Sequence, residues 1–206
     1  QIMDNLIAMG KAKPMIVVMP NGNPNCQAAP GEWSFGMYTP SFRGTTGPQQ
    51  APAASMEESF MDIVTYIDSH YNTIRQREGR AVCGLSMGGG HTFGIARLYP
   101  TTFDYYGLFS AGLHLGKGID LQGPRLYDQM KADKTFQSQM KSLFGSHPKL
   151  YWIAIGRTDF LFQQNVDLRR FLDENRYPYE YVETDGGHIW RNWRIYLTDF
   201  AQKIFK

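Results

Sequence analysis

Short apolar runs that alternate with longer amphipathic segments constrain the fold of this chain more than any other feature. Turn residues bound each run, and each has the length of a buried strand. The five predicted strands are residues 15–19, 80–84, 105–110, 150–155 and 179–182. The predicted helices are residues 2–9, 56–70, 87–98, 124–143, 163–175 and a last one from Trp193 to Ile204. We expect the helix over residues 124–143 to be exposed. Strands that alternate with helices form βαβ units, so we expect an α/β fold with a mostly parallel sheet flanked by helices.

Length and charge exclude several classes of protein. A chain of 206 residues fits one domain, so we treat residues 1–206 as a single unit. Its 21 Lys and Arg against 19 Asp and Glu give a net charge of +2, without the basic surplus that nucleic-acid binding needs. The sequence contains no run of about 18 apolar residues, so it predicts no membrane span. Cys26, in a loop, and Cys83, expected to be buried, are too few for a disulfide framework or a four-cysteine zinc site.

The segment Gly84–Gly88 matches the pattern G-x-S-x-G, with Ser86 at its centre. It lies directly after a predicted strand and directly before a predicted helix. A sharp turn between the two pushes the serine hydroxyl out of the sheet, and the small glycines prevent clashes. The pattern alone is weak evidence, because a helix N-cap serine in a glycine-rich turn looks the same. Its position between strand and helix favours Ser86 as a nucleophile.

A nucleophilic serine needs a base, and His188 is the best placed of the five histidines. It follows the last predicted strand on a glycine loop, from which its ring can reach the carboxyl edge of a parallel sheet. His70 and His147 are expected in solvent, and His91 lies inside the helix behind Ser86, where packing is its expected role. His114 follows the third predicted strand and is a weaker candidate for contact with a substrate.

The base in turn needs a carboxylate that fixes its tautomer. Asp159 follows the strongest predicted strand, and its alternative role is to cap a turn. Asp185 is a rival, but it is only three residues from His188 on the same loop. The order Ser86, Asp159, His188 is the order expected of an α/β-hydrolase triad. Such a triad needs no cofactor and no metal.

Three segments of the chain resemble the esterase D-type hydrolases: Ile2–Ala8, Gly84–Gly90, and Gly186–His188 with Trp193 downstream. The resemblance runs over nearly the whole chain and is closest to the feruloyl and acetyl-xylan esterases of carbohydrate esterase family one. It implies an α/β-hydrolase fold and a secreted or periplasmic serine esterase that removes acyl groups from plant polysaccharides. It also implies that Ser86, Asp159 and His188 are the triad and that the Met87 N–H is one oxyanion donor.

The start of the chain departs from that family. The family's first strands and its oxyanion loop should precede the helix at Ile2–Ala8, and one of those strands belongs between residues 15–19 and 80–84. Two inner strands that face an empty slot would have unpaired backbone groups, which is costly in a core. We therefore expect a sheet that lacks its N-terminal strands, and an N-terminal segment or companion fragment that completes the fold.

Residues 21–54 form a long stretch without periodicity, and residues 113–149 read as an insertion; we expect both near the active site. Aromatic faces pack well on phenolic rings and sugars, so Trp33, Phe35 and Tyr38 are candidates for substrate contact. Ordinary packing of the loop on the domain explains them equally well. Trp190, beside His188, is a further candidate for substrate contact.

These observations together predict a serine carboxylesterase that hydrolyses feruloyl or acetyl esters on plant cell-wall polysaccharide such as xylan. Two alternatives of the same class are a thioesterase like S-formylglutathione hydrolase and an acyltransferase that excludes water. A catalytically silent carbohydrate-binding relative is the alternative of another class. The intact triad argues against the silent relative, whereas the missing oxyanion loop keeps that alternative open.

Overall fold

The computed structural model describes residues 1–20, 22, 55–115 and 125–206. The four strands of this part of the chain form one parallel sheet in the order β1-β2-β3-β4. They are β1 (Ala81–Leu85), β2 (Tyr105–Phe109), β3 (Leu150–Gly156) and β4 (Glu180–Thr184). Gly107 in the centre of β2 lies opposite Cys83 of β1 and Trp152 of β3. The expected α/β fold with a parallel sheet flanked by helices is confirmed.

Seven α-helices accompany the sheet in the described residues. They are α1 (Ile2–Ala8), α2 (Phe60–His70), α3 (Met87–Leu98), α4 (Leu126–Ala132), α5 (Lys134–Gly145), α6 (Phe162–Glu174) and α7 (Trp190–Ala201). Of these, α3, α4, α5 and α6 contribute to one core layer, and α7 contributes to another. In the part of the chain described above, no helix is long and apolar enough to cross a membrane.

The two core layers follow from the alternation of side chains along the strands. Tyr106 and Leu108 of β2 belong to the layer that contains Phe93 of α3, whereas Tyr105 and Phe109 belong to the other layer with α7. Successive side chains of a strand point to opposite faces of the sheet. The two central strands, β2 and β3, are buried at every position because both of their faces are covered.

Residues 15–19 are not a strand, so that prediction is wrong. The side chains of Ile16, Val17 and Val18 are 50%, 51% and 42% exposed. A run of apolar residues becomes a strand only where a neighbouring strand pairs with it. Among the described residues no strand pairs with residues 15–19, and β1 pairs with β2 alone. Cys83, expected to be buried, is exposed on the same edge strand.

The exposed helix predicted over residues 124–143 is instead two helices that contribute to the core. Asp133 separates them, and its carboxylate accepts a hydrogen bond from the Phe136 N–H at 2.9 Å, which caps α5. Met130, Phe136 and Met140 are buried because α4 and α5 cover the sheet layer on the α3 side. The predictions for residues 21, 23–54 and 116–124, which include Cys26, Trp33, Phe35 and Tyr38, lie outside the described residues.

Candidate active site

Ser86 occupies a sharp turn between β1 and α3, with φ 55° and ψ −115°. A non-glycine residue in this conformation is strained by about 1–3 kcal/mol and persists only where its surroundings hold it. Its N–H donates to the Phe109 carbonyl at 2.9 Å, and its own carbonyl accepts from Gly90 and Gly112. A Cβ at Gly84 would overlap the Gly88 carbonyl, so only glycine allows the strand and helix to approach so closely.

His188 contacts the serine hydroxyl from the loop between β4 and α7. Its Nε2 lies 2.8 Å from Ser86 Oγ. The loop turns at Gly186, where φ is 85°. The buried Asn192 amide donates to the Asp185 and Gly187 carbonyls, both at 3.1 Å, so the first turn of α7 holds the loop in place.

Asp159 completes the arrangement on the other side of the imidazole. Its Oδ2 and Oδ1 lie 2.9 and 3.0 Å from His188 Nδ1. The carboxylate is fully buried, and Oδ1 also accepts from the Leu161 N–H at 2.9 Å. A carboxylate acceptor at Nδ1 assigns the ring proton to that nitrogen, which leaves Nε2 able to accept the serine proton. The structure thus brings together Ser86, His188 and Asp159 in the geometry of a nucleophile, its base and the group that orients the base.

The rival carboxylate, Asp185, is placed elsewhere. Its side chain is 88% exposed and lies 3.6 Å from Arg157 Nη1. Because Asp159 already holds both of its oxygens within 3.0 Å of His188 Nδ1, that ring nitrogen has its acceptor. The geometry therefore favours Asp159 over Asp185.

Aromatic side chains enclose the His188 ring. Phe160 packs on it with ring centroids 4.7 Å apart, and Trp193 meets it edge-on at 4.9 Å. Trp190 packs against Trp193 and is 65% exposed, as is Phe160. Sequence reasoning missed Phe160, although its position directly after Asp159 was the available signal. It also missed Asn192, for which no local pattern exists.

The remaining candidates lie around α3. Met87 is the first residue of that helix, so its backbone N–H has no partner within the helix, and its side chain is 57% exposed. His114 is partly buried beside Gly90, and burial lowers the pKa of its imidazole, with the Glu57 charge acting in the opposite direction. His91 pairs with Glu57, and the described residues contain no group of three or more His, Cys, Asp or Glu that is placed to hold a metal ion.

The chain matches known proteins along nearly its whole length. Residues 1–204 match the family described as "Putative esterase". The endo-1,4-beta-xylanase/feruloyl esterase of Xylanibacter ruminicola is 36% identical over 119 residues, 57% of this chain and 14% of that protein. The acetyl esterase of Caldicellulosiruptor saccharolyticus is 29% identical over 164 residues, 70% of this chain and 61% of that protein.

A solved structure extends this similarity to the fold. A ferulic acid esterase superposes with a TM-score of 0.67 at 25% identity, over 98% of this chain and 74% of that one. The chain spans less than two thirds of the length of either curated relative, 14% in one and 61% in the other.

Proposed function

This chain belongs to the esterase family, and from that membership and the geometry around Ser86 we propose that it is a serine carboxylesterase. The observation that carries the proposal is the 2.8 Å contact between Ser86 Oγ and His188 Nε2. A free serine hydroxyl is a poor nucleophile at neutral pH, and a histidine in this position removes its proton. Asp159 holds the ring in the required tautomer and stabilises the imidazolium that forms.

The proposed reaction has two halves. Ser86 Oγ attacks the ester carbonyl carbon as its proton moves to His188 Nε2, and the Met87 N–H donates to the oxygen that becomes negative. The tetrahedral intermediate collapses, and His188 passes the proton to the departing alcohol oxygen. Water then attacks the acyl-enzyme, again losing a proton to His188. The carboxylic acid leaves, and Ser86 recovers its proton.

For the substrate, we propose feruloyl or acetyl esters on plant cell-wall polysaccharide such as xylan. The names of the two curated relatives support these acyl groups. The exposed rings of Phe160 and Trp190 beside the reacting groups offer apolar faces on which a phenolic acid or a sugar packs well. A polysaccharide of this kind lies outside the cell, so the proposal includes export of the enzyme.

A substrate panel tests this proposal. The rates to compare are those for methyl ferulate, acetylated xylan, feruloylated arabinoxylan oligosaccharides and S-formylglutathione. We expect both oxygen-ester classes to be cleaved and the thioester to be the poorer substrate by kcat/KM. Preferred hydrolysis of S-formylglutathione would replace the carbohydrate esterase assignment by that of a thioesterase. Binding of the oligosaccharides without any hydrolysis would instead indicate a silent relative.

We further propose that an additional polypeptide strand pairs with the outer edge of β1. The support is local: the exposed apolar side chains of Ile16, Val17 and Met19, and the exposed Cys83 on a strand of the core sheet. An edge strand with unpaired N–H and C=O groups is a template for another strand. An N-terminal segment or a companion fragment would satisfy those groups and cover the apolar side chains.

A further inference from the structure

A second carboxylate–imidazole pair joins α3 to the turn before α2, outside the triad, and the mechanism above does not use it. We propose that Glu57 and His91 are positioning residues, whose hydrogen bond fixes α3 and thereby holds Ser86 and the Met87 N–H in place for catalysis. This inference rests on the proposed esterase function. Labelling of Ser86 by a fluorophosphonate distinguishes a failure of this inference from a failure of the proposed function.

The pair is close and largely buried. Glu57 Oε1 lies 2.7 Å from His91 Nδ1, and the two side chains are 14% and 19% exposed. Burial alone would raise the pKa of Glu57, but the hydrogen bond and charge of His91, a backbone hydrogen bond and one from Ser55 together lower it to about 2. Glu57 is therefore ionised, and His91 Nδ1 carries the proton that it donates.

The pair joins two separate parts of the chain. His91 lies one helical turn after Met87 on α3, on the same side of the helix. Glu57 lies in the turn that leads into α2 and is fixed by the reciprocal hydrogen bonds between Ser55 and Glu58. In the described part of the chain, the Glu57–His91 pair is the only contact of a basic side chain of α3 with a carboxylate. Because its two ends lie on separate elements, a shift of α3 along its axis would lengthen or break the hydrogen bond.

Helix α3 needs such an anchor because its own sequence is a weak helix former. Four of its residues, Gly88, Gly89, Gly90 and Gly94, are glycine, and glycine stabilises a helix less than any residue except proline. Close packing requires at least two of them. A Cβ at Gly90 would overlap the Gly112 carbonyl, and one at Gly94 would lie 2.7 Å from Glu57 Cγ. The glycine at position 94 thus makes room for the carboxylate that anchors the helix.

The position of α3 matters for the reaction because its first residues carry the catalytic groups. Ser86 is strained, and a helix that is free to move would let it relax. Catalytic groups must be held to within about 0.5 Å of the productive geometry. The Met87 N–H donates to charge that exists only in the transition state, so a loss of position lowers kcat more than it raises KM.

Glu57→Ala tests the proposal, with His91→Asn as the conservative variant. Glu57→Ala removes the anchor, and we expect kcat for p-nitrophenyl acetate to fall about 10- to 100-fold, with KM within about threefold. In His91→Asn the amide nitrogen takes the position of Nδ1 and can still donate to Glu57, so we expect kcat within about threefold of the parent. The rate at which an alkyl fluorophosphonate labels Ser86 should follow the same order, and this readout does not require ester turnover.

Asp104→Ala is the matched control, because Asp104 forms a similar buried ion pair with Arg77 at 2.6 Å, before the amino end of β2. We expect it to lower Tm as much as Glu57→Ala does, with kcat and the labelling rate within about twofold of the parent. Equal losses of kcat in Glu57→Ala and Asp104→Ala would overturn the proposal, as would unchanged kcat and labelling in Glu57→Ala. A parent protein that cleaves no ester refutes the proposed function instead, and the labelling rates then decide the role of the pair.

Discussion

At the scale of single residues, the proposed chemistry depends on one proton route, from Ser86 Oγ to His188 Nε2. Ser86→Ala removes the nucleophile and leaves the turn intact, because alanine is smaller and tolerates the same backbone no worse than serine. We expect at least a 10³-fold loss of kcat for an activated aryl ester, with unchanged unfolding. Ser69→Ala on the exposed face of α2 is the control and should retain full activity. A folded Ser86→Ala protein with more than a tenth of the parent's activity would assign the nucleophile to another residue.

The two carboxylates near His188 provide a matched pair of variants. Asp159→Asn keeps the shape of a fully buried side chain but removes the charge that fixes the imidazole tautomer, so we expect kcat to fall at least about 10³-fold. Asp185→Asn changes a side chain that is 88% exposed, and we expect kcat within about twofold of the parent. Steady-state kinetics on one ester, with circular dichroism to check folding, distinguishes them. The reverse ranking would transfer the role of Asp159 to the loop before His188.

At the scale of secondary-structure elements, the site depends on how closely strand ends and loops approach one another. A Cβ at Gly156 would overlap the Gly186 carbonyl and lie 2.8 Å from Asn192 Nδ2. Gly156→Ala must therefore displace the loop that carries His188. We expect the free energy of unfolding to fall by about 1–3 kcal/mol and kcat to fall at least tenfold.

Gly145→Ala is the control for that prediction, since a Cβ there has nothing within 4 Å. As the last residue of α5, Gly145 gains helix propensity on substitution, so stability should stay equal or rise by up to about 1 kcal/mol. Chemical denaturation of both variants gives the comparison. Full activity and stability in Gly156→Ala would show that the loop adapts, and that its close approach is not required.

Elements that carry their own pattern were predictable from the sequence, and those that depend on a partner were not. The fully buried strand Leu150–Gly156 and the turn at Ser86 lie where the apolar run and the glycine pattern predict them. Residues 15–19 carry an equally apolar run, but none of the four described strands pairs with them. The contact between Asp159 and His188 was predictable, because both residues follow the carboxyl ends of strands in one parallel sheet. The Glu57–His91 pair was not, because it joins residues 34 positions apart that share no pattern.

At the scale of the whole molecule, the described sheet has two edge strands, β1 and β4, and each is paired on one side only. Cys83 of β1 is exposed, and Ser86, which follows β1 directly, begins the catalytic turn. β4 is no better covered than β1, because Glu180 and Glu183 of β4 are exposed, whereas Cys83 is the one exposed position of β1. Because Ser86 directly follows β1, the stability of this edge strand is coupled to the geometry of the site, and any fraying of β1 also moves Ser86.

This coupling leads to a prediction about residues 1–206 produced alone. If an additional strand pairs with β1, these residues by themselves should unfold with low cooperativity, and their amides in β1 should exchange with solvent much faster than those in β3. If the loop after the additional strand also supplies a second oxyanion donor, its absence lowers turnover further, since removing one donor costs roughly 10²–10³ in turnover. We therefore expect ester hydrolysis at least about 10²-fold below that of a polypeptide from the same source that carries additional N-terminal sequence. Mass, denaturation, hydrogen exchange and kinetics of the two proteins provide the measurement. A cooperatively folding chain of residues 1–206 with protected β1 amides and equal activity would show that these residues suffice, and that the open edge needs no partner.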